Sequence, residues 1–435
     1  ESRGELAQAL AFRSEDINDH NLPHVVWAGM IPLVELDPEK LLEVARSTEW
    51  SNLRTWIARA ITERSKENPV AFAALLKLVG DQPKQADSLL AGIERAVLGM
   101  KGFLKPAKWN QISSKLQGNP YVLKLSVLFG DKDAIGQMEK LVMNPDAEIE
   151  VRRQTMKILI DSNSPNLKSI SDKLLKSVGM KIWAARGLSK FEDNRTGEML
   201  LSSLQAFDGV EKDEVVEILC GRINWADVLL SGIENGQVSK SLISPYHALQ
   251  IKSLKNDKLD KRLDQCWGMI RTSPEYLAKR KGELKKELNS EAVSKADLKN
   301  GSLLYDQQCS SCHRLYGKGG KLGPDLTGSG RSNLDYLLEN IVDPNSAVSA
   351  DYRMNIIQLK DGRILSGMIA QQDRNSLTLR MPGSDTVVSK SMVEKRETLS
   401  HSIMPAGLLD NLSLNARRDL IAYLMNPTQV SRPAQ

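Results

Sequence analysis

The 435-residue sequence contains no apolar run of about 18 residues, so no stretch of it reads as a membrane-spanning helix. One-signed charge is missing as well. Lys and Arg number 59 against 54 Asp and Glu, a formal net charge of +5, and the two signs are interspersed. A nucleic-acid partner, which would need a basic stripe, is therefore not expected. Histidine is scarce at five residues, and His20, His24 and His247 stand alone. His20 has Asp16 and Asp19 beside it, but that stretch reads as a polar helix-entry loop rather than a metal site. Cysteine is scarcer still at four. Cys220 and Cys266 have no second Cys or His within a few positions, and both sit in apolar helical patterns. They read as buried free thiols, with a mutual disulfide as the alternative, since sequence does not give their separation. Strand alternation, finally, is absent from the first 290 residues.

What those residues do contain is helical spacing, broken by short Asn, Asp, Gly and Pro punctuation. Residues 21–36 form one such stretch, expected to bend or break at Pro32. Asp37-Pro38 starts the next with an N-cap and a proline in the first turn. Asn68-Pro69, Asn119-Pro120, Asn144-Pro145 and Ser164-Pro165 repeat the punctuation. Paired helices are expected to begin near Trp50, Pro83, Asn119, Asp146, Val178, Asp208 and Ser239, roughly 27 to 36 residues apart. The stretch Glu150-Val151-Arg152-Arg153-Gln154-Thr155-Met156-Lys157-Ile158-Leu159 resembles a HEAT-type repeat, and Ile182 to Leu188 is a weaker echo. Residues 1–290 are thus expected to form a HEAT-like α-solenoid, a scaffold or docking surface rather than an active site, with the Trp residues in its core. The charged run at residues 279–288 reads as the solvated face of a connecting helix. At this length two or three domains are expected, and a hydrophobic content of 41% with 26% charged residues is that of ordinary globular protein.

Past residue 290 the chain carries chemistry. Cys309-Ser310-Ser311-Cys312-His313 is the C-x-x-C-H pattern of c-type haem attachment. Two thiols three positions apart can add to the two vinyl groups of one haem, and the adjacent imidazole serves as the proximal iron ligand. A zinc site would need about four N or S ligands, usually with a second C-x-x-C or an H-x-H cluster. A thioredoxin-like dithiol would need a strand ahead of it, where residues 301–308 look like the end of a helix. Downstream, Gly317-Lys318-Gly319-Gly320-Lys321 is not a P-loop, since neither Gly-Lys step is followed by Ser or Thr. It reads as a flexible loop near the haem edge. Strands are expected at residues 352–359, 364–370, 377–381, 386–389 and 392–397, with turns at Asp361-Gly362, residues 373–375 and Pro382-Gly383. They form a small β-barrel or curled sheet.

Several of these features resemble class I cytochromes c. Gly301 and Tyr305 on the first helix, with Leu420, Tyr423 and Leu424 on the last, match that family's helix crossing. Leu322-Gly323-Pro324-Asp325-Leu326-Thr327-Gly328 resembles its proximal segment, which implies that the Pro324 carbonyl accepts the Nδ1–H of His313 and that Leu326 packs on the haem face. Candidates for the distal ligand are Met354, Met368, Met381, Met392, Met404, Met425 and His401. Met404 is favoured because Pro405 follows it just before the final helix, as with the axial methionine of many cytochromes c, and His401 is the runner-up.

Helical repeats followed by a cytochrome c domain split by a β insert are similar to planctomycete-type haem-binding proteins. Leu359-Lys360-Asp361-Gly362-Arg363 and Met404-Pro405-Ala406-Gly407-Leu408-Leu409-Asp410 match motifs of that family. The expected fold is therefore mainly α. It comprises a HEAT-like solenoid at 1–290, a cytochrome c domain at 291–351, a β insert at 352–398, the distal ligand and last helix at 399–427, and a tail at 428–435. The expected cofactor is one covalent haem c, with His313 and Met404 as metal ligands and Cys309, Cys312, Pro324 and Leu326 completing the site. The expected role is electron transfer to or from a redox partner protein, such as a dehydrogenase or an upstream domain. A peroxidase-type haem enzyme and a scaffold with a structural haem are the alternatives. Residues 298–427 hold 15 Lys and Arg against 13 Asp and Glu, so strong electrostatic steering to one partner is not expected. Covalent haem attachment in bacteria belongs to the periplasmic side. The chain is accordingly expected to be periplasmic or otherwise exported, with a signal or a larger portion preceding Glu1.

Overall fold

Polar residues just ahead of proline start several helices in the computed structural model of the chain, which describes residues 2–13, 15, 19, 21–100, 102–267, 273–346, 352–382, 384–410 and 412–430. The Asp37 carboxylate accepts from the Lys40 backbone N–H and the Asn68 side chain from that of Ala71, both at 3.0 Å. Each is followed by Pro in the first turn, where a missing N–H removes no helical bond. Asn119 caps the Pro120–Leu128 helix in the same way. Asn144 departs from the expectation: it ends the Lys132–Met143 helix, and its side chain accepts from the Asp146 N–H in a turn. Pro32 separates helix Leu22–Met30 from helix Leu33–Leu36.

Helices dominate the described residues, from Ser2–Ala11 to Leu414–Met425, and β structure is confined to one hairpin and one small sheet towards the C-terminus. None of these helices is long and apolar enough to cross a membrane. By compactness the chain forms two units: residues 1–187 with 372–377 and 387–391, and residues 188–371, 378–386 and 392–435. The break expected near residue 290 lies inside the second. In the first unit, helices begin at Ser51, Ala86, Pro120, Ile149 and Lys181, close to the expected repeat starts. Their core holds Trp50 and Trp109 fully buried, the latter donating its indole N–H to Ser126 Oγ at 2.7 Å.

In the second unit the Leu298–Gln308 helix crosses the Leu414–Met425 helix at Gly301. A Cβ there would stand 2.1 Å from the Asp419 carbonyl oxygen and 2.7 Å from Tyr423 Cβ, so the contact requires glycine. Tyr305, Leu420, Tyr423 and Leu424 pack around the crossing. The Pro274–Glu287 helix belongs to the same core through Leu277 and Leu284, with Leu288 just beyond it. Lys279, Glu283, Lys285 and Lys286 lie exposed on a solvated face, as expected, while Lys281 pairs with Glu339 and Arg280 with Asp410, both at 2.7 Å. Three leucines at helical spacing anchor it, a signal that the dense charge hides in sequence.

Strands β1 (Arg314–Leu315) and β2 (Lys318–Gly319) form the hairpin. Strands β3 (Arg353–Leu359), β4 (Ile364–Gln372), β5 (Ser376–Met381), β6 (Ser384–Ser389) and β7 (Val393–Ser402) form the sheet, in the order β6-β5-β4-β3-β7. β7 runs past its expected end at residue 397, because pairing with β3 continues beyond an irregularity to Arg353 opposite Ser402. The Ile403 N–H then donates to the Tyr352 carbonyl at 3.1 Å. The ends of the sheet segment therefore meet, and it is spliced in without separating what flanks it.

Candidate cofactor site

The C-x-x-C-H segment is a single tight turn continuing the Leu298–Gln308 helix. The N–H groups of Cys312 and His313 both donate to the Cys309 carbonyl, at 3.1 and 2.8 Å. The following chain folds back on it, with Gly320 N–H donating to Ser310 O at 2.7 Å and Gly323 N–H to Cys312 O at 2.8 Å. The stretch read as a flexible loop is thus the β1/β2 hairpin, whose turn places Tyr316 and Gly317 at positive φ. The buried Tyr305 hydroxyl donates to the His313 carbonyl at 2.8 Å and pins the turn from the helix side.

His313 Nδ1 lies 2.9 Å from the Pro324 carbonyl oxygen. A carbonyl can only accept, so the proton sits on Nδ1 and Nε2 keeps the lone pair that a metal needs. Gly323 lies flat against the ring: a Cβ there would be 2.5 Å from Cε1. Burial holds the imidazole below its usual range, partly opposed by the Pro324 bond. Leu326 is tied to the hairpin by its N–H, which donates to Arg314 O at 2.8 Å.

Cys309, Cys312, His313, Pro324, Leu326 and Met404 all line one cavity of about 240 Å³. Met404 is the one methionine of those weighed that lines it; Met354 is buried in an apolar cluster behind Cys312, with Met368 against that cluster. The sheet holds Met404 in place, since its N–H donates to Ser402 Oγ at 3.1 Å and the Ser402 N–H donates to Asn345 Oδ1 at 2.7 Å. The His401 side chain, Asp16 and His20 lie outside the described residues. All four cysteines are free thiols, Cys220 buried and Cys266 half-buried. Burial pushes the Cys309 thiol up to about 12 and Cys312 to about 11. A thioredoxin-like dithiol depends on a lowered thiol pKa, and these thiols are shifted the other way.

Two thiols on one turn, an imidazole with Nε2 available, a thioether and an apolar lining make up the donor set that haem c requires. Residues 298–358 match the family model for cytochrome c. That stretch is a cytochrome c domain. The match takes in the attachment motif and the proximal loop and ends within β3, short of Met404 and the last helix. The family implies covalently bound haem c and supports a haem-binding, electron-transfer role. No curated protein matches the chain.

Two features of this site carry no local signal in the sequence. Arg331, buried within the cytochrome c domain, donates to the carbonyls of Leu424, at 2.7 Å, and Asn426, and so holds the C-terminal end of the last helix. Its guanidinium also stacks 5.0 Å from the Tyr316 ring. The second feature is a cavity wall formed by Asp213, Ser244, Tyr246 and His247. His247, isolated in sequence, completes a capping box with Ser244 at the start of the Pro245–Ser253 helix.

Proposed function

We propose that the chain is a c-type cytochrome that transfers electrons through one covalently bound haem c. Cys309 and Cys312 provide the thioether links, His313 the proximal ligand and Met404 the distal one. The observation that carries this reading is the His313 Nδ1–H given to Pro324 O inside a cavity that the two thiols and Met404 also line. When bound, haem c would supply reversible one-electron chemistry, and a methionine–histidine donor pair would raise its reduction potential. The protein's own residues do the rest. Pro324 fixes the imidazole and strengthens its Nε2 as a donor, while Leu326 and the rest of the apolar lining would shelter the cofactor from water.

In this reading residues 1–290 are a HEAT-like scaffold that docks a redox partner, a dehydrogenase or an upstream domain. Residues 291–351 and 399–427 form the haem domain around the insert at 352–398. The architecture is of the planctomycete type, and the protein works in the periplasm or another exported location. The test is the full-length chain exported in a host with a haem-attachment system. Expected are an intact mass raised by a single haem, a chromophore that resists acid extraction, and reversible reduction by a one-electron donor. A chain carrying no covalent haem, or two, contradicts the proposal.

A further inference from the structure

Beside Cys312 the cavity wall comes from helices that precede the cytochrome c match. The Gly209–Cys220 helix contributes Asp213, and the Pro245–Ser253 helix contributes Tyr246 and His247. Tyr246 packs with Leu322, Met354, Ile356 and Ile403 in a small cluster that Cys312 also touches. Its hydroxyl lies 2.8 Å from the Ser366 carbonyl oxygen and 3.2 Å from Glu217 Oε1. Among the described residues that line the cavity, Asp213 is the one carboxyl group, and no Lys or Arg lines it.

The groups around Asp213 differ in what they can do with a proton. On its own helix Glu217 is buried, and burial pushes it far above the usual carboxylate range. Glu214, also buried, acts on Glu217. From the neighbouring helix, burial pushes Tyr246 up and His247 down to about 4, leaving both neutral. Burial is the main cause of the raised Cys312 thiol, with smaller contributions from Glu217 and Asp213, which places Asp213 within electrostatic reach of the attachment turn. Cys309, His313, Tyr336 and Tyr352 also line the cavity. The Asn194–Ser203 and Ile223–Glu234 helices pack on this helix too, yet burial is the sole cause of the Asp213 shift, up to about 6.

We propose that Asp213 is a redox-linked proton site: when the cavity gains one electron from a one-electron donor, the Asp213 carboxylate takes one proton from solvent, and it releases that proton on reoxidation. The inference rests on the haem reading above. An added electron makes the cavity one unit more negative, and a half-buried carboxylate in a cavity lined by no Lys or Arg is a protein group whose protonation cancels that change. Charge balances, with one electron and one proton in and the same two out.

The test is a potentiometric titration of the full-length haem-loaded protein against pH. Between about pH 5 and pH 7 the midpoint is expected to fall as pH rises. The limiting slope is a tenfold change in the redox equilibrium constant per pH unit, ~59 mV for one electron. Asp213→Asn should flatten that dependence and raise the midpoint above about pH 7, and Asp213→Glu should restore the slope. Glu198→Gln, at an exposed acid outside the cavity, should leave it unchanged. If Asp213→Asn keeps the parent slope, the inference is overturned while the haem reading stands; a chain without covalent haem overturns both. Should the Asn variant fail to accumulate, the reduced-minus-oxidised infrared difference of the unsubstituted protein decides. A protonated-carboxyl band gained on reduction near pH 6.5 supports the inference, and its absence refutes it.

Discussion

The two sides of the cavity are made in different ways. The proximal side comes from one short stretch, residues 309–326, in which the thiols, the imidazole and the carbonyl that orients it are neighbours in sequence and are held by local hydrogen bonds. The distal side is assembled from afar. Met404 stands 91 residues after His313 and is carried there by the β3/β7 pairing; the wall beside Cys312 likewise draws Asp213, Tyr246 and His247 from helices well upstream. A local site depends on a few backbone contacts, whereas an assembled one depends on the register of the sheet and the packing of distant helices. Substitutions on the two sides should therefore fail differently.

The largest effect is expected from Cys309→Ala combined with Cys312→Ala, which should abolish covalent haem altogether, whereas Met404→Ala should retain it in full. Intact mass separates the two, and equal loss in both variants would erase the distinction between the sides. Next is Gly301→Val. Its side chain cannot fit without moving the Asp419 backbone, so about 3 kcal/mol or more of stability should be lost in a denaturant melt. Tyr305→Phe leaves the His313 carbonyl without its buried donor and should cost about 1–2 kcal/mol in the same melt. An effect of similar size, but dependent on pH, should come from the cavity wall beside Cys312. The folded pKa of Asp213 is raised to about 6, so the stability linked to its protonation is present in acid and is lost as pH rises through about 6. Asp213→Asn should be more stable than the parent above about pH 7, by about 1–2 kcal/mol, and equal to it below about pH 4. Urea melts at the two pH values check this, and a difference in the opposite direction would show that the carboxylate has a partner.

The same contrast governs what could be read from the residues alone. Cys309, Cys312 and His313 declare themselves because the chemistry demands their spacing, and Pro324 and Leu326 follow within a dozen or so residues. The strands after residue 352 were legible through their alternation and turns, but the end of β7 was not, since pairing with Arg353 rather than composition carries it to Ser402. The charged face of the Pro274–Glu287 helix is legible, but its attachment to the core through Leu277, Leu284 and Leu288 is not, because the charges outnumber the leucines. Arg331 and Asp213 left no trace, because each matters only through carbonyls or an attachment turn far away in the chain.

His313 and Met404 are the proposed ligands of the haem iron. The absorption spectrum of the oxidised full-length protein tests this assignment most directly. The account predicts a sulfur-to-iron charge-transfer band in the parent that disappears in Met404→Ala while covalent haem remains. A parent protein that lacks the band and binds cyanide readily would contradict it.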